Sequence, residues 1–171
     1  MARLGIITFN HPTLRKVGKK VEKFDDELKK LIADMVETMR DANGIGLAAP
    51  QVNRSLQLLV IDMGLIDENL DYEAFINPVI EQISDDFDQM EEGCLSLPGI
   101  NEFVERPRTI TVRYQNEAGE EKIVNATDLL AVVLQHEIDH LNGVFFIDHL
   151  PAIKRRLLAG KLEEIARLGV V

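Results

Sequence analysis

Residues 127–143 read TDLLAVVLQHEIDHLNG, and the fold turns on how this stretch is taken. Leu129, Leu130, Val133, Leu134, Ile138 and Leu141 recur at helical spacing and predict a largely buried helix from Leu129 to about Asn142. Thr127 or Asp128 stands where an N-cap is expected, and Gly143 stands where a glycine closes a helix. His136 and His140 lie at i and i+4, roughly 40° apart around the axis, so one face can offer both imidazoles to a single ion. Glu137, roughly 100° round from His136, can reach a water on that ion without being a ligand. A lone buried histidine is usually a satisfied core residue. Here two of the chain's four histidines stand at ligand spacing around a Glu, which is a metal signature.

Outward from this helix, Leu28, Leu31, Ile32, Met35, Val36 and Met39 form one apolar stripe and predict an amphipathic helix over Asp26–Asp41, capped by Asp25. Asn43-Gly44-Ile45-Gly46 breaks it. Gln57–Asp62 reads as a buried strand, and the acid-rich stretch 62–73 as an exposed loop. Phe75–Ile83 reads as a strand placed at a sheet edge by Pro78. Asp85, Asp86, Asp88, Glu91 and Glu92 lead up to Gly93-Cys94. Thr109–Tyr114 and Glu121–Ala126 predict a hairpin across the turn residues 116–119. Pro151 opens a last helix that ends near Gly169. The sum is an α+β fold: antiparallel sheets packed around the buried histidine-bearing helix, with an N-terminal amphipathic helix and a C-terminal helix.

With 171 residues, 46% of them hydrophobic, the chain is expected to form one domain, 1–171, with 152–171 as C-terminal helix and tail. A formal charge of −10 argues against sequence-specific nucleic-acid binding or an anionic-membrane surface, both of which need a basic footprint. No apolar run reaches a membrane span, and Met1-Ala2-Arg3-Leu4-Gly5-Ile6 shows no targeting segment, so a cytoplasmic location is expected. One Cys excludes an internal disulfide framework and a CxxC zinc ribbon.

Two histidines do not complete a metal site. The extended pattern HExxHxxGxxH fails at Phe146, which cannot bind a metal. Glu163 or Glu164 on the last helix, His149, and Cys94 within Glu92-Gly93-Cys94-Leu95-Ser96 are the candidates for the third ligand. Cys94 with His136 and His140 would leave a fourth position open for water, as a catalytic site requires. Glu163, Glu164 or His149 would instead suit a zinc peptidase. Cys94, His136, His140 and His149 together would close a structural zinc site. A third segment, GIGLAAPQ at 44–51, lacks the form of a phosphate-binding loop. Its small residues allow close backbone approach, and Gln51 adds a neutral donor.

GIGLAAPQ at 44–51, EGCLS at 92–96 and QHEIDH at 135–140 together resemble, in order and separation, the motif set of peptide deformylases. The resemblance extends from His11-Pro12-Thr13-Leu14-Arg15 to the last helix. It implies a hydrolase that removes the N-formyl group from formylmethionine on newly made polypeptides, releasing formate. On that resemblance Cys94, His136 and His140 hold one divalent metal, usually ferrous iron, with nickel or cobalt as active replacements and zinc as a poorer one. A water made acidic by the metal attacks the formyl carbon, and Glu137 acts as general acid/base. Gln51 and the Leu95 N–H face the oxyanion. Ile45, Gly46 and Gly93 match backbone positions that pair with an extended peptide, and Leu129, Val132 and Val133 match the lining of the methionine pocket. Arg106 matches a basic position that would pair with Glu92 or Asp139.

Relatives that carry an Arg just past EGCLS differ from this chain, which reads Leu97-Pro98-Gly99-Ile100-Asn101 there. No long insertion separates Asp62 from Phe75, as in the shorter bacterial subgroup. In the last helix Lys154, Arg155, Arg156, Lys161 and Arg167 outnumber Glu163 and Glu164, giving +3 against −13 elsewhere. The resemblance extends this into an expectation of docking at the ribosome through that helix, where a solvated charged face is the plain alternative.

Overall fold

The structure is a computed structural model that describes residues 2–171. Helix α1 spans Asp26–Asp41, as expected. Leu28, Ile32, Met35, Val36 and Met39 are buried along its stripe, and the Asp25 carboxylate accepts from the Leu28 N–H at 3.0 Å. Strands β1 (Gly46–Ala48), β2 (Leu58–Asp62) and β3 (Tyr72–Ile83) follow. A hairpin of β4 (Phe87–Cys94) and β5 (Leu97–Pro107) comes next, then β6 (Thr109–Gln115) and β7 (Glu121–Thr127). Helix α2 covers Asp128–Leu141 and helix α3 Ala152–Ala166. The five-stranded sheet runs β1-β2-β3-β6-β7, antiparallel throughout, and β4-β5 form a separate two-stranded sheet.

β2 shows why the sequence folds this way. Its Leu58 and Val60 pack with α1, whereas Leu59 and Ile61 pack with α2. Successive side chains point to opposite faces. The run is continuously apolar because a helix covers each face of this end of the sheet. A third apolar cluster joins β5 to α3 and to the turn after α2, through Leu97, Ile100, Val104, Phe145, Phe146 and Ile165.

One expectation needs correction and two places need completing. Pro78 does not mark an edge: β3 is the middle strand of five. The ladder to β6 breaks between Ile76 and Val79, and Asn77 adopts a left-handed backbone (φ 52°). Pro78 therefore sits in an irregularity that does not need its missing N–H. The Asn77 side chain compensates by bonding the Val21 N–H and C=O, both at 2.9 Å. Second, the acid-rich stretch before Cys94, to which the sequence reading assigns no element, is a strand, paired residue by residue from Phe87↔Pro107 to Gly93↔Asn101. Third, Thr127 occupies the N-cap of α2 as expected, but its side chain makes no capping hydrogen bond. The turn from β7 is made by Asp128 at φ 53°, and its carboxylate pairs with Arg108 at 3.0 Å.

Gly143 closes α2 as predicted, at φ 76°. An added Cβ would stand 2.6 Å from the Arg15 carbonyl oxygen and 2.8 Å from its carbon. This close approach lets Arg15 donate to the Gly143 carbonyl (3.0 Å), pair with Asp148 and lie over the Phe145 ring at 4.5 Å. Gly143→Ala is expected to lower stability by at least ~1–3 kcal/mol, the cost of the left-handed backbone alone. Denaturant unfolding checks this: a loss confined to that range would mean that the Arg15 segment gives way freely, and an unchanged midpoint would overturn the expectation.

Candidate metal centre

α2 and the β4-β5 hairpin place the donors. Cys94 ends β4 at a bulge, where the pairing shifts from Gly93↔Asn101 to Cys94↔Leu97. His136 and His140, one turn apart on α2, are both buried. One ligand atom from each of Cys94, His136 and His140 lies within 4.8 Å of the other two, and Cys94 Sγ stands 3.2 Å from His140 Nε2. Phe146 stacks on His136 and Phe145 meets His140 edge-on, so apolar rings hold both imidazoles.

A chain of charges supports His136 from behind. Its Nδ1 lies 2.9 Å from Glu92 Oε1, which leaves Nε2 to face Cys94 and His140. Arg106 grips Glu92 through Nε (2.7 Å) and Nη2 (3.0 Å) and reaches Asp139 through Nη1 (3.0 Å). Arg106 and Glu92 are almost wholly buried. Burial would raise the Glu92 pKa, but hydrogen bonds from His136 and Arg106 outweigh it and hold the carboxyl below its ordinary value. The sequence reading offered Glu92 or Asp139 as the partner of Arg106, and the guanidinium engages both.

Glu137 points into the same space. It is buried, its Oε2 lies 4.0 Å from His136 Nε2, and its Oε1 has no hydrogen-bond partner. Burial pushes its pKa up to about 7 against the lowering influence of His136. β1 lies directly on this carboxylate: a Cβ on Gly46 would come 2.9 Å from Glu137 Oε2. Gly44 likewise admits the Leu95 side chain, and Gly93 admits Asn101. The small residues of GIGLAAPQ thus bring that segment against both EGCLS and α2. Gln51 completes the wall, buried, with Nε2 3.5 Å from Cys94 Sγ.

Two cavities meet here. A cleft of about 480 Å³ contains Ile45, Gly46, Gln51, Gly93, Cys94, Leu95, His136 and Glu137. A smaller apolar recess of about 110 Å³ opens beside it, lined by Leu129, Val132, Val133 and Met90, and shares Ile45, Gly93, His136 and Glu137 with the cleft. The positions singled out from the sequence converge on these two spaces, with His140 behind them. Met90 was missed. It shares a strand face with Glu92 and Cys94, a signal legible only once 87–94 is recognised as β4. The other candidate ligands lie elsewhere. His149 is bound to Asp139 at 2.8 Å, and Glu163 and Glu164 are exposed on α3, Glu163 paired with Arg167. A cysteine sulfur and two imidazole nitrogens converging in this way suit a divalent metal, with the unpartnered Glu137 carboxyl oxygen beside them.

The polypeptide deformylase family model matches residues 4–156. A peptide deformylase of Brucella suis is 47% identical over 161 residues, covering 94% of this chain and 92% of that protein. One from Cellvibrio japonicus is 46% identical, covering 99% of each. The crystal structure of a peptide deformylase from Legionella pneumophila superposes with a TM-score of 0.89 at 41% identity, covering 98% of this chain and 97% of the other.

Proposed function

Because this chain belongs to the polypeptide deformylase family, we propose that it removes the N-formyl group from formylmethionine at the start of newly made polypeptides, releasing formate. The observation that carries this reading is the Glu137 carboxylate, buried with Oε1 unpartnered beside the converging Cys94, His136 and His140. A divalent metal held by those three side chains, ferrous iron in our reading with nickel, cobalt or zinc as substitutes, would polarise the formyl carbonyl and acidify a water.

The chain's own groups do the rest. Glu137 takes the proton of the attacking water and returns it to the departing amine nitrogen. Gln51 Nε2 and the Leu95 N–H receive the charge that develops on the formyl oxygen, and one such donor is worth ~3 kcal/mol. The backbones of Ile45, Gly46 and Gly93 pair with the extended peptide as a neighbouring strand would. Leu129, Val132 and Val133, with Met90, accept the methionine side chain in the apolar recess. One methylene there discriminates by only ~1–3 kcal/mol, so the preference for methionine is real and graded.

Residues 1–171 act as one catalytic domain in this reading, in the cytoplasm, where formylated chains emerge. Among the described residues no helix is long and apolar enough to cross a membrane. α3 buries only Ile165 fully and leaves Ile153 and Leu157 exposed among its basic residues, which supports docking at the ribosome. The test is release of free amine from a formyl-Met tripeptide by anaerobically prepared protein, with the acetylated peptide alongside. Turnover of the formyl peptide alone is expected. No turnover after loading with Fe(II) or Ni(II), or equal cleavage of the acetyl peptide, would overturn the reading.

A further inference from the structure

We propose that Ser96 is a positioning residue that sets the orientation of the Gln51 carboxamide, an inference that rests on the reaction proposed above. Gln51 is the side chain assigned to meet the formyl oxygen, and a carboxamide serves there only if an N–H, not its oxygen, faces the reacting centre. Two contacts decide this. Gln51 Oε1 accepts from the Ala48 N–H at 3.0 Å, which fixes the face of the amide. Rotation by half a turn would oppose two donors at Ala48. Gln51 Nε2 then donates to Ser96 Oγ at 3.1 Å and, more weakly, to Cys94 Sγ at 3.5 Å. One N–H is thereby committed to Ser96, and the other is directed at the side of the metal centre.

Ser96 is fully buried, and its hydroxyl has this amide as its hydrogen-bond partner. Its backbone has a separate task. The Phe9 N–H donates to the Ser96 carbonyl at 3.1 Å, and the Ile7 N–H donates to the Gln51 carbonyl at 2.8 Å. The N-terminal segment therefore holds the two loops side by side without help from either side chain. Removing the hydroxyl leaves that scaffold in place and releases only the tilt of the carboxamide.

The test is a double-mutant cycle on the metal-loaded enzyme. Gln51→Ala is expected to lower kcat about 100-fold, the effect of losing one oxyanion donor. Ser96→Ala should lower kcat about 10-fold with KM within about 2-fold, because the donor is still present but poorly aimed. In the Gln51→Ala background the same Ser96→Ala change should alter kcat by less than about 2-fold, since there is no carboxamide left to orient. Metal content and melting temperature are measured for each protein. If Ser96→Ala fails to fold, Ser96→Cys, similar in size and a weaker acceptor, is put through the same cycle, with a smaller loss that again vanishes without Gln51. An equal loss in both backgrounds, a loss carried by KM, or no loss at all would overturn this role. A wild-type enzyme inactive on the formyl peptide would overturn the proposed reaction, and this role with it.

Discussion

Glu137→Gln is expected to keep its fold and its metal while losing about 10²–10⁴-fold in kcat on a formyl-Met peptide, the range that a positioned acid–base group supplies. The amide keeps the shape of the carboxyl, so the contact with Gly46 survives, but it cannot accept the proton of the attacking water. Metal should be retained because the converging ligand atoms come from Cys94, His136 and His140, without Glu137. The native carboxyl is also badly placed for stability: it is buried, Oε1 is unpartnered, and burial has moved its pKa up to about 7. An apolar replacement, Glu137→Leu, should therefore be as inactive and more stable by ~1–3 kcal/mol, the cost of a buried unsatisfied polar group. Turnover, metal analysis and denaturant unfolding on the two variants separate these effects. Activity within a few-fold of wild type, or loss of the metal, would show that Glu137 does something else.

The two helices that frame the sheet were legible because their information is local. The stripe from Leu28 to Met39 and the apolar face around His136 each repeat within one segment, and their ends carry Asp25 and Gly143. The metal centre was legible for the same reason at His136 and His140, one helical turn apart. Cys94 was not: spacing alone left Cys94, His149, Glu163 and Glu164 open, and only the resemblance favoured the thiol. What chooses among them physically is the bulge at Gly93-Cys94, a property of strand pairing that no single segment displays.

Strand pairing also explains what was misread. β4 shows no apolar alternation because Glu92 is its one fully buried residue, paired with Arg106 from β5. A strand whose buried face is a charged pair carries no pattern that assigns it until its partner is known. Pro78 failed as an edge marker for a related reason: a proline in a central strand is tolerated where a bulge has already interrupted the ladder. The start of β1 read only as a break after the first helix, since Gly46 and, just before the strand, Gly44 are chosen for what lies against them, the Glu137 carboxylate and the Leu95 side chain, and not for strand propensity.

That charged pair carries the second large expectation. Arg106→Met should cost ~3–5 kcal/mol, because it strands the Glu92 carboxylate, 3% exposed, without its counter-charge. It should also weaken metal binding by about 10–100-fold, the usual effect of loosening a group that orients a ligand. Glu92 holds His136 through Nδ1, and without the guanidinium fork it is free to move or to take up a proton. The two effects separate in the double variant Arg106→Met, Glu92→Leu. Removing the stranded charge should recover most of the stability, since a buried pair exchanged for apolar groups is often neutral. Metal affinity should stay low, because His136 has then lost the acceptor that fixes its ring. Chelator competition and denaturant unfolding report the two quantities independently. If the double variant recovers metal affinity along with stability, Arg106 neutralises a buried charge and has no part in orienting His136. If Arg106→Met changes neither quantity, the network is a bystander to the centre it surrounds.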